Sequence, residues 1–313
     1  MAERYWNDSY THELLLHDTD EELVERTRAF VRQGLDAGGR VLAHGSRDRV
    51  ELLRRALGSP NGLDYGYDAE LYRKPMQTLF AYQQKLAESQ RRPELWATGS
   101  VPTGQGAEEQ AAWCRYESLV NEALGAYPFH ALCTYDTRTV PAGTVAAAKA
   151  SHPTVNRGAE SGRPSVDYLD PTTFLAGSMG RPPGPPEIRP TVALLVDGLD
   201  ELEYVRRRVL SLVRAASALT LEALDELLVV VTELTANGLV HGAPPVRVRV
   251  WAEVLSVTGQ VVDSGSCRLD PLSGFRYPGD SDPMGLWMVR QLVDDLFIRA
   301  EPEGGCSLLF TKT

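Results

Sequence analysis

The 313-residue chain is 43% hydrophobic and 24% charged, the balance of a globular protein long enough for two domains that each bury a core. Its formal net charge of −10 disfavours a direct grip on nucleic acid, which needs clustered Lys and Arg to neutralise phosphates. No apolar run approaches the ~20 residues that cross a bilayer, and Met1 to Tyr10 lack the basic and apolar regions of a secretion signal, so a cytoplasmic location without membrane contact is expected.

In the first half, Thr19-Asp20-Glu21-Glu22 offers a capping-box helix start, and Leu23, Phe30 and Leu35 carry an apolar stripe to Gly38 and Gly39. Arg40 to His44 reads as a short buried strand, and Ser46 can cap a second helix running to Leu57. Trp113 to Leu124 is helical again, and Ala131 to Tyr135 reads as another strand. Helices alternating with strands predict an α/β layer fold with a largely parallel sheet. The glycine-rich turn Gly34 to Gly39 continues into Arg40-Val41 rather than Lys and Ser/Thr, so it serves a backbone bend and not a phosphate loop.

Cys114, Cys133, Cys267 and Cys306 are scattered without a CxxC pair, which predicts reduced thiols rather than a disulfide frame or a zinc site. His130 and Cys133 lie three apart in a predicted strand and should face opposite ways, so no metal role is expected of them. The runs Arg91-Arg92 and Arg206-Arg207-Arg208 read as solvated faces.

Between Gly177 and Pro190 the stretch GSMGRPPGPPEIRP denies the chain both helix and ladder hydrogen bonds. The expected division is therefore a domain over 1–176, a linker over 177–190 and a second domain over 191–313.

Past the linker, Leu199 to Leu219 and Leu221 to His241 read as amphipathic helices. In the second, Leu224, Leu227, Leu228, Val231 and Leu234 define a core face, and Glu233, Asn237 and His241 follow at i+4 steps as a polar ridge on its flank, each about 40° from the last. An amide oxygen such as that of Asn237 can hold magnesium together with substrate phosphates, and Glu233 one turn away can take a proton from a hydroxyl. Taken alone, the ridge reads more readily as a solubilising stripe, and the later segments overturn that preference. Val246 to Val254 alternates as a half-buried strand, and the next strand, Gly259 to Asp263, ends in Asp263-Ser264-Gly265, where a carboxylate can accept from an exocyclic amine. The loop Leu269 to Pro283, rich in Gly, Pro and Asp, then leads into a helix beginning Gly285-Leu286, a suitable lid over phosphates.

The order ELTANGLVHG, VVDSGS, MGLWMVRQLVDDL, EGGCSLLF over residues 190–313 resembles the GHKL ATP-binding domain of gyrase and histidine kinases, and within it the anti-sigma-factor serine kinases. The segments HELLLHDTDEELVERTRAFVRQGLDAGGRVLAHG, WCRYESLVNEAL, LCTYDTRTVP, ASHP and YLDP resemble the RecA-like, MEDS-type sensory domain of methanogen and methylotroph regulators. The first resemblance implies an α/β sandwich that binds ATP and Mg2+. Glu233 would be the general base, Asn237 the metal ligand, and His241 with Gly242 would lie near the phosphates. Asp263 would contact the adenine amine, Gly265 would give the base room, and Gly285 with Leu286 would close the lid. The implied partners are a sigma factor and an anti-anti-sigma protein of the STAS type, whose Ser or Thr would be phosphorylated. The helix bearing Arg206 to Arg208 would be a partner surface, a homodimer contact or solvent face. The sequence departs from the pattern at Cys267, Pro283 and Cys306, changes that ATP binding survives more easily than rapid turnover does. A nucleotide-gated binding module without phosphotransfer is therefore the alternative function. A sensor histidine kinase is disfavoured, since a proline-rich linker and not a helical hairpin precedes residue 190.

Overall fold

Buried strands separated by helices of ten or more residues pair in parallel, because each crossover carries the chain back to the same end of the sheet. Residues 1–181 of the computed structural model form one compact unit, built this way, and residues 182–313 form another with an antiparallel sheet. The structure describes residues 7–72, 74–88, 94–104, 106–157, 160–177, 183–278, 284–302 and 304–313. Arg91, Arg92, Pro283 and positions 178–182 of the expected linker lie outside them.

The first unit runs β1 (Thr11–His17), α1 (Asp20–Asp36), β2 (Arg40–Gly45), α2 (Arg47–Leu57), β3 (Leu63–Tyr67), α3 (Asp68–Leu71), α4 (Pro75–Glu88), β4 (Leu95–Gly99), α5 (Ala107–Leu124), β5 (Phe129–Asp136), α6 (Ala142–Ser151), β6 (Thr154–Arg157), β7 (Glu160–Pro164) and α7 (Pro171–Ala176). Its sheet has the order β3-β2-β4-β5-β1-β6-β7, parallel except for β7, which turns back antiparallel on β6. Alternation along β1 sends Leu15 into a core with Leu23 and Phe30 of α1 and Leu53 of α2, and Leu14 into a core with Tyr135 and Ala148 on the other face. The expected caps form: the Thr19 side chain accepts from Glu22 N and that of Ser46 from Arg49 N.

The glycine turn does two things. Gly38 takes a positive φ of 76°, as a bend requires, while Gly34 and Gly39 make room for the Trp96 indole, where added β-carbons would sit 2.8 Å from Trp96 Cγ and 2.6 Å from its Cδ1.

The same unit buries a polar cluster. His12, Glu117 and His152 are at most 3% exposed, and Cys133 is half-buried beside them. Burial, with His12 adding to it, pushes the His152 pKa down to about 3. Burial drives the Cys133 thiol well up, and Glu117 drives it further. Burial also raises Glu117, but the neighbouring His152 and His12 outweigh it and hold the carboxyl below the usual range.

The second unit runs β8 (Val192–Val196), a 3-10 turn (Leu199–Glu201), α8 (Leu202–Ala216), α9 (Leu221–His241), β9 (Val246–Ala252), β10 (Val257–Val262), α10 (Gly285–Leu292), β11 (Asp295–Ala300) and β12 (Cys306–Lys312). Its strands form an antiparallel sheet in the order β11-β12-β10-β9-β8. Val205, Val209 and Val213 of α8 and the expected face of α9, Leu224, Leu227, Leu228, Val231 and Leu234, meet Val246, Val248 and Val250 of β9 in one core. This is an α/β sandwich. The end of the expected linker is part of it, because Trp251 Nε1 donates to the Ile188 carbonyl at 2.8 Å and Ala252 N to Thr191 Oγ1 at 3.0 Å. Among the described residues no helix is long and apolar enough to cross a membrane.

Gly34→Ala should therefore destabilise the first unit by roughly 1–3 kcal/mol through overpacking against Trp96. Gly143→Ala, in the first turn of α6 with no atom within 4 Å of the new methyl, should stabilise it by about 0.4–1 kcal/mol. Denaturant midpoints check both; equal effects would mean that Trp96 does not fill the space these glycines leave.

Candidate functional site

The last turns of α9 fix the site. Thr220 caps the helix start by accepting from Ala223 N at 3.1 Å, and at the other end Gly242 N donates to the Gly238 carbonyl at 3.1 Å. With Leu234 fully buried, Glu233 and Asn237 are left half-buried on the flank and His241 exposed at the end. Asn237 Nδ2 donates to Glu233 Oε1 at 3.1 Å. That bond turns the amide oxygen of Asn237 away from the carboxylate, so it is available to a cation.

Helix α10 begins against this pair. A β-carbon at Gly285, the first residue of α10, would collide with Glu233 Oε1, so glycine is needed for the close approach. Leu286 follows, half-buried on the core. At the other end of the ridge, Asp263 sits just past β10 and is 6% exposed. Its Oδ1 accepts from Gly265 N at 2.8 Å, and its own N donates to the Cys306 carbonyl at 3.2 Å. Gly242 lies against Asp263: a β-carbon there would run into the carboxyl, and one at Gly265 would come within 3.0 Å of Gly242 C and Ala243 N. Gly242 is thus at the Asp263 end of the ridge. From Glu233 to His241 the ridge is about 12 Å long at 1.5 Å per residue.

The Gly/Pro/Asp-rich loop has an anchor that the sequence reading missed. Arg290, 2% exposed, donates through Nε to the Ser273 carbonyl at 2.7 Å, through Nη1 to Leu296 O at 2.8 Å and through Nη2 to Pro271 O at 2.9 Å. Its guanidinium also stands 3.7 Å from the Phe275 ring centre. Burial pushes its pKa down to about 9, against the pull of Asp295 and Asp270, so it stays charged at neutral pH. The signal in the sequence was a charged residue in register with the apolar side of MGLWMVRQL.

The expectation of free thiols fails at two positions. Cys267 and Cys306 are joined, 39 residues apart in sequence but with Cα atoms 4.4 Å apart, because the Asp263–Cys306 backbone bond brings the loop after β10 to the start of β12. Cys114 and Cys133 remain free.

Comparison with known families divides the chain as the fold does. Residues 11–153 match MEDS, the methanogen/methylotroph DcmR sensory domain, and residues 198–311 match the histidine kinase-like ATPase domain. No curated protein matches the chain.

If Arg290 holds the loop to α10, Arg290→Met should strand three carbonyls at a cost of about 1–3 kcal/mol for each left unpaired. Amide hydrogen exchange should accelerate in residues 271–275. Unchanged exchange there would show that the loop is held by something else.

Proposed function

Since the chain couples a MEDS sensory domain to a histidine-kinase-like ATPase domain, we propose that it is an anti-sigma regulator that binds ATP-Mg. In this reading it sequesters a sigma factor and phosphorylates Ser or Thr of an anti-anti-sigma protein of the STAS type, under control of the sensory domain, in the cytoplasm. The observation that carries the nucleotide site is the pairing of Asn237 with Glu233 under Gly285, with buried Asp263 at the other end of the same ridge.

These residues suit the ligand. Asn237 offers an amide oxygen to Mg2+, a hard cation that keeps several waters and takes its other ligands from phosphates. Asp263 offers a carboxylate acceptor to the exocyclic amine of adenine, and Gly242 and Gly265 keep side chains clear of the ring beside it. Gly285 and Leu286 begin α10 over Glu233, where free backbone N–H groups and the helix dipole favour anions. His241, exposed at the C-terminal end of the ridge, has room to reach a ligand there. Bound ATP supplies a transferable γ-phosphoryl group. Glu233 is within a helical turn of the metal ligand, where a carboxylate can accept the proton of an incoming hydroxyl. The bond from Asn237 holds Glu233 in place while it does so.

A nucleotide-gated binding module without phosphotransfer is the second reading. It is favoured by the link between Cys267 and Cys306, which stand where the family pattern often has glycine and threonine and which ties the backbone behind Asp263. Both readings share the nucleotide site and differ in whether Glu233 acts.

The roles separate by mutation. Glu233→Gln should leave Mg-dependent ATP affinity nearly unchanged while phosphotransfer to an antagonist falls by ~10²–10⁴. Asn237→Ala should weaken ATP in the presence of Mg2+ and take phosphotransfer down with it. Calorimetry with and without Mg2+, beside transfer of labelled phosphate, reads both. Equal loss of nucleotide in the two variants would merge the roles, and full transfer in both would return the ridge to a solvated stripe.

A further inference from the structure

The sensory domain brings four metal-type ligands to one point from four separated segments. His12 comes from β1, Glu117 from α5, Cys133 from β5, and His152 from the residue that ends α6, and their ligand atoms all lie within 4.8 Å of one another. Glu117 Oε2 is 3.2 Å from His12 Nε2 and 3.3 Å from His152 Nε2, and Cys133 Sγ is 3.4 Å from His12 Nε2. The two imidazoles stand 4.0 Å apart between ring centres.

The outer contacts determine which atoms face inward. Asn121 donates its amide N–H to the Ser151 carbonyl at 2.8 Å, so its Oδ1 is turned toward His12 Nδ1, 3.1 Å away, and toward the Tyr10 hydroxyl, which donates to it at 2.9 Å. An oxygen facing His12 Nδ1 requires the proton on that nitrogen. The same holds for His152, whose Nδ1 donates to the Ala148 carbonyl at 2.7 Å. In the neutral rings both Nε2 atoms therefore carry lone pairs, and both are directed at a carboxylate. This is the arrangement in which metal-binding histidines are usually held, with Nδ1–H tied to an outer oxygen.

Without a cation the arrangement is costly. Glu117 is 3% exposed and His152 fully buried, so the carboxylate has only the Tyr135 hydroxyl, the Cys133 thiol and the two imidazoles about it, and His152 Nε2 lacks a hydrogen-bond donor or acceptor of its own. With the rings neutral, two lone pairs and a carboxylate facing one another repel, and the only donor among the four is the Cys133 thiol, which lies against both His12 and Glu117. Tetrahedral bonds of 2.0–2.3 Å place neighbouring ligand atoms about 3.3–3.8 Å apart, so the four groups need move little to close on an ion. Two imidazoles, a thiolate and a carboxylate are a donor set for Zn2+ or a similar first-row ion, and one poorly suited to Mg2+ or Ca2+.

We propose that His12, Glu117, Cys133 and His152 form a binding site for a divalent transition-metal ion, Zn2+ in the first instance, in the sensory domain. The metal bonds to both Nε2 atoms, a Glu117 oxygen and Cys133 Sγ, and the thiol proton leaves to solvent. Cys133, His12 and Glu117 also line a small internal cavity with Tyr72 and Tyr116, which puts the metal beside a space bounded by aromatic rings. The site is independent of the nucleotide ridge.

The test uses the full chain, stripped with a chelator and titrated with Co2+ alone, without nucleotide. One equivalent should bind and give intense tetrahedral visible bands with a near-ultraviolet thiolate-to-cobalt band. Cys133→Ser should abolish that charge-transfer band and Cys114→Ser should keep it. His152→Ala should weaken Co2+ at least tenfold. Should the buried variants fail to fold, the parent chain still decides, because Co2+ or Zn2+ must raise its melting temperature and protect Cys133 from alkylation. A folded parent that shows no thiolate band, no melting shift and no protection overturns the proposal and leaves the cluster as a proton-sharing core.

Discussion

The proposed nucleotide site depends on the rotation of one helix. Leu224, Leu227, Leu228, Val231 and Leu234 of α9 are buried against the sheet, and each contributes roughly 1.5–3 kcal/mol by leaving water. Turning the helix to re-aim Glu233 or Asn237 would expose several of them at once. A hydrogen bond on the ridge contributes only about 0.5–1.5 kcal/mol, so the apolar face decides the orientation and the polar ridge follows. Gly285 and Asp263 are then positioned against the two ends of a ridge that cannot roll.

What was legible in the sequence was local. Caps at Thr19 and Ser46 and the i+3, i+4 stripe of α9 are signals carried within a few residues, and the structure keeps each one. The strands at 192–196, 295–300 and 306–312 lacked so clear a local signal and drew no strand assignment, although EGGCSLLF entered the motif order. The site was legible as an ordered set of motifs, but its geometry was not. That Gly242 abuts Asp263 follows from how α9 meets the end of β10, and that Arg290 gathers carbonyls from residues 271, 273 and 296 follows from loop packing.

The cysteines make the same point. Spacing along the chain suggested neither a link between Cys267 and Cys306 nor a partner for Cys133, since the residues concerned are far apart in sequence. His130 and Cys133 do go different ways, as their separation in a strand requires: His130 stacks on Trp96 with ring centres 3.9 Å apart, while Cys133 turns to His12. The expectation of no metal role rested on one strand alone, whereas the groups around Cys133 arrive from β1, α5 and the end of α6. Parallel pairing of β1 with β5 is what brings the first of them within reach.

The proposed ridge from Glu233 to His241, with Gly285 and Asp263 at its ends, takes an adenine nucleotide with magnesium, and calorimetric titration of the full chain with ATP and with GTP tests this most directly. Adenine presents an amine donor where guanine presents a carbonyl acceptor, and a buried carboxylate left facing an acceptor is a large penalty. ATP should bind in the presence of Mg2+, with GTP at least tenfold weaker. No binding of ATP, or equal binding of the two, would contradict the account.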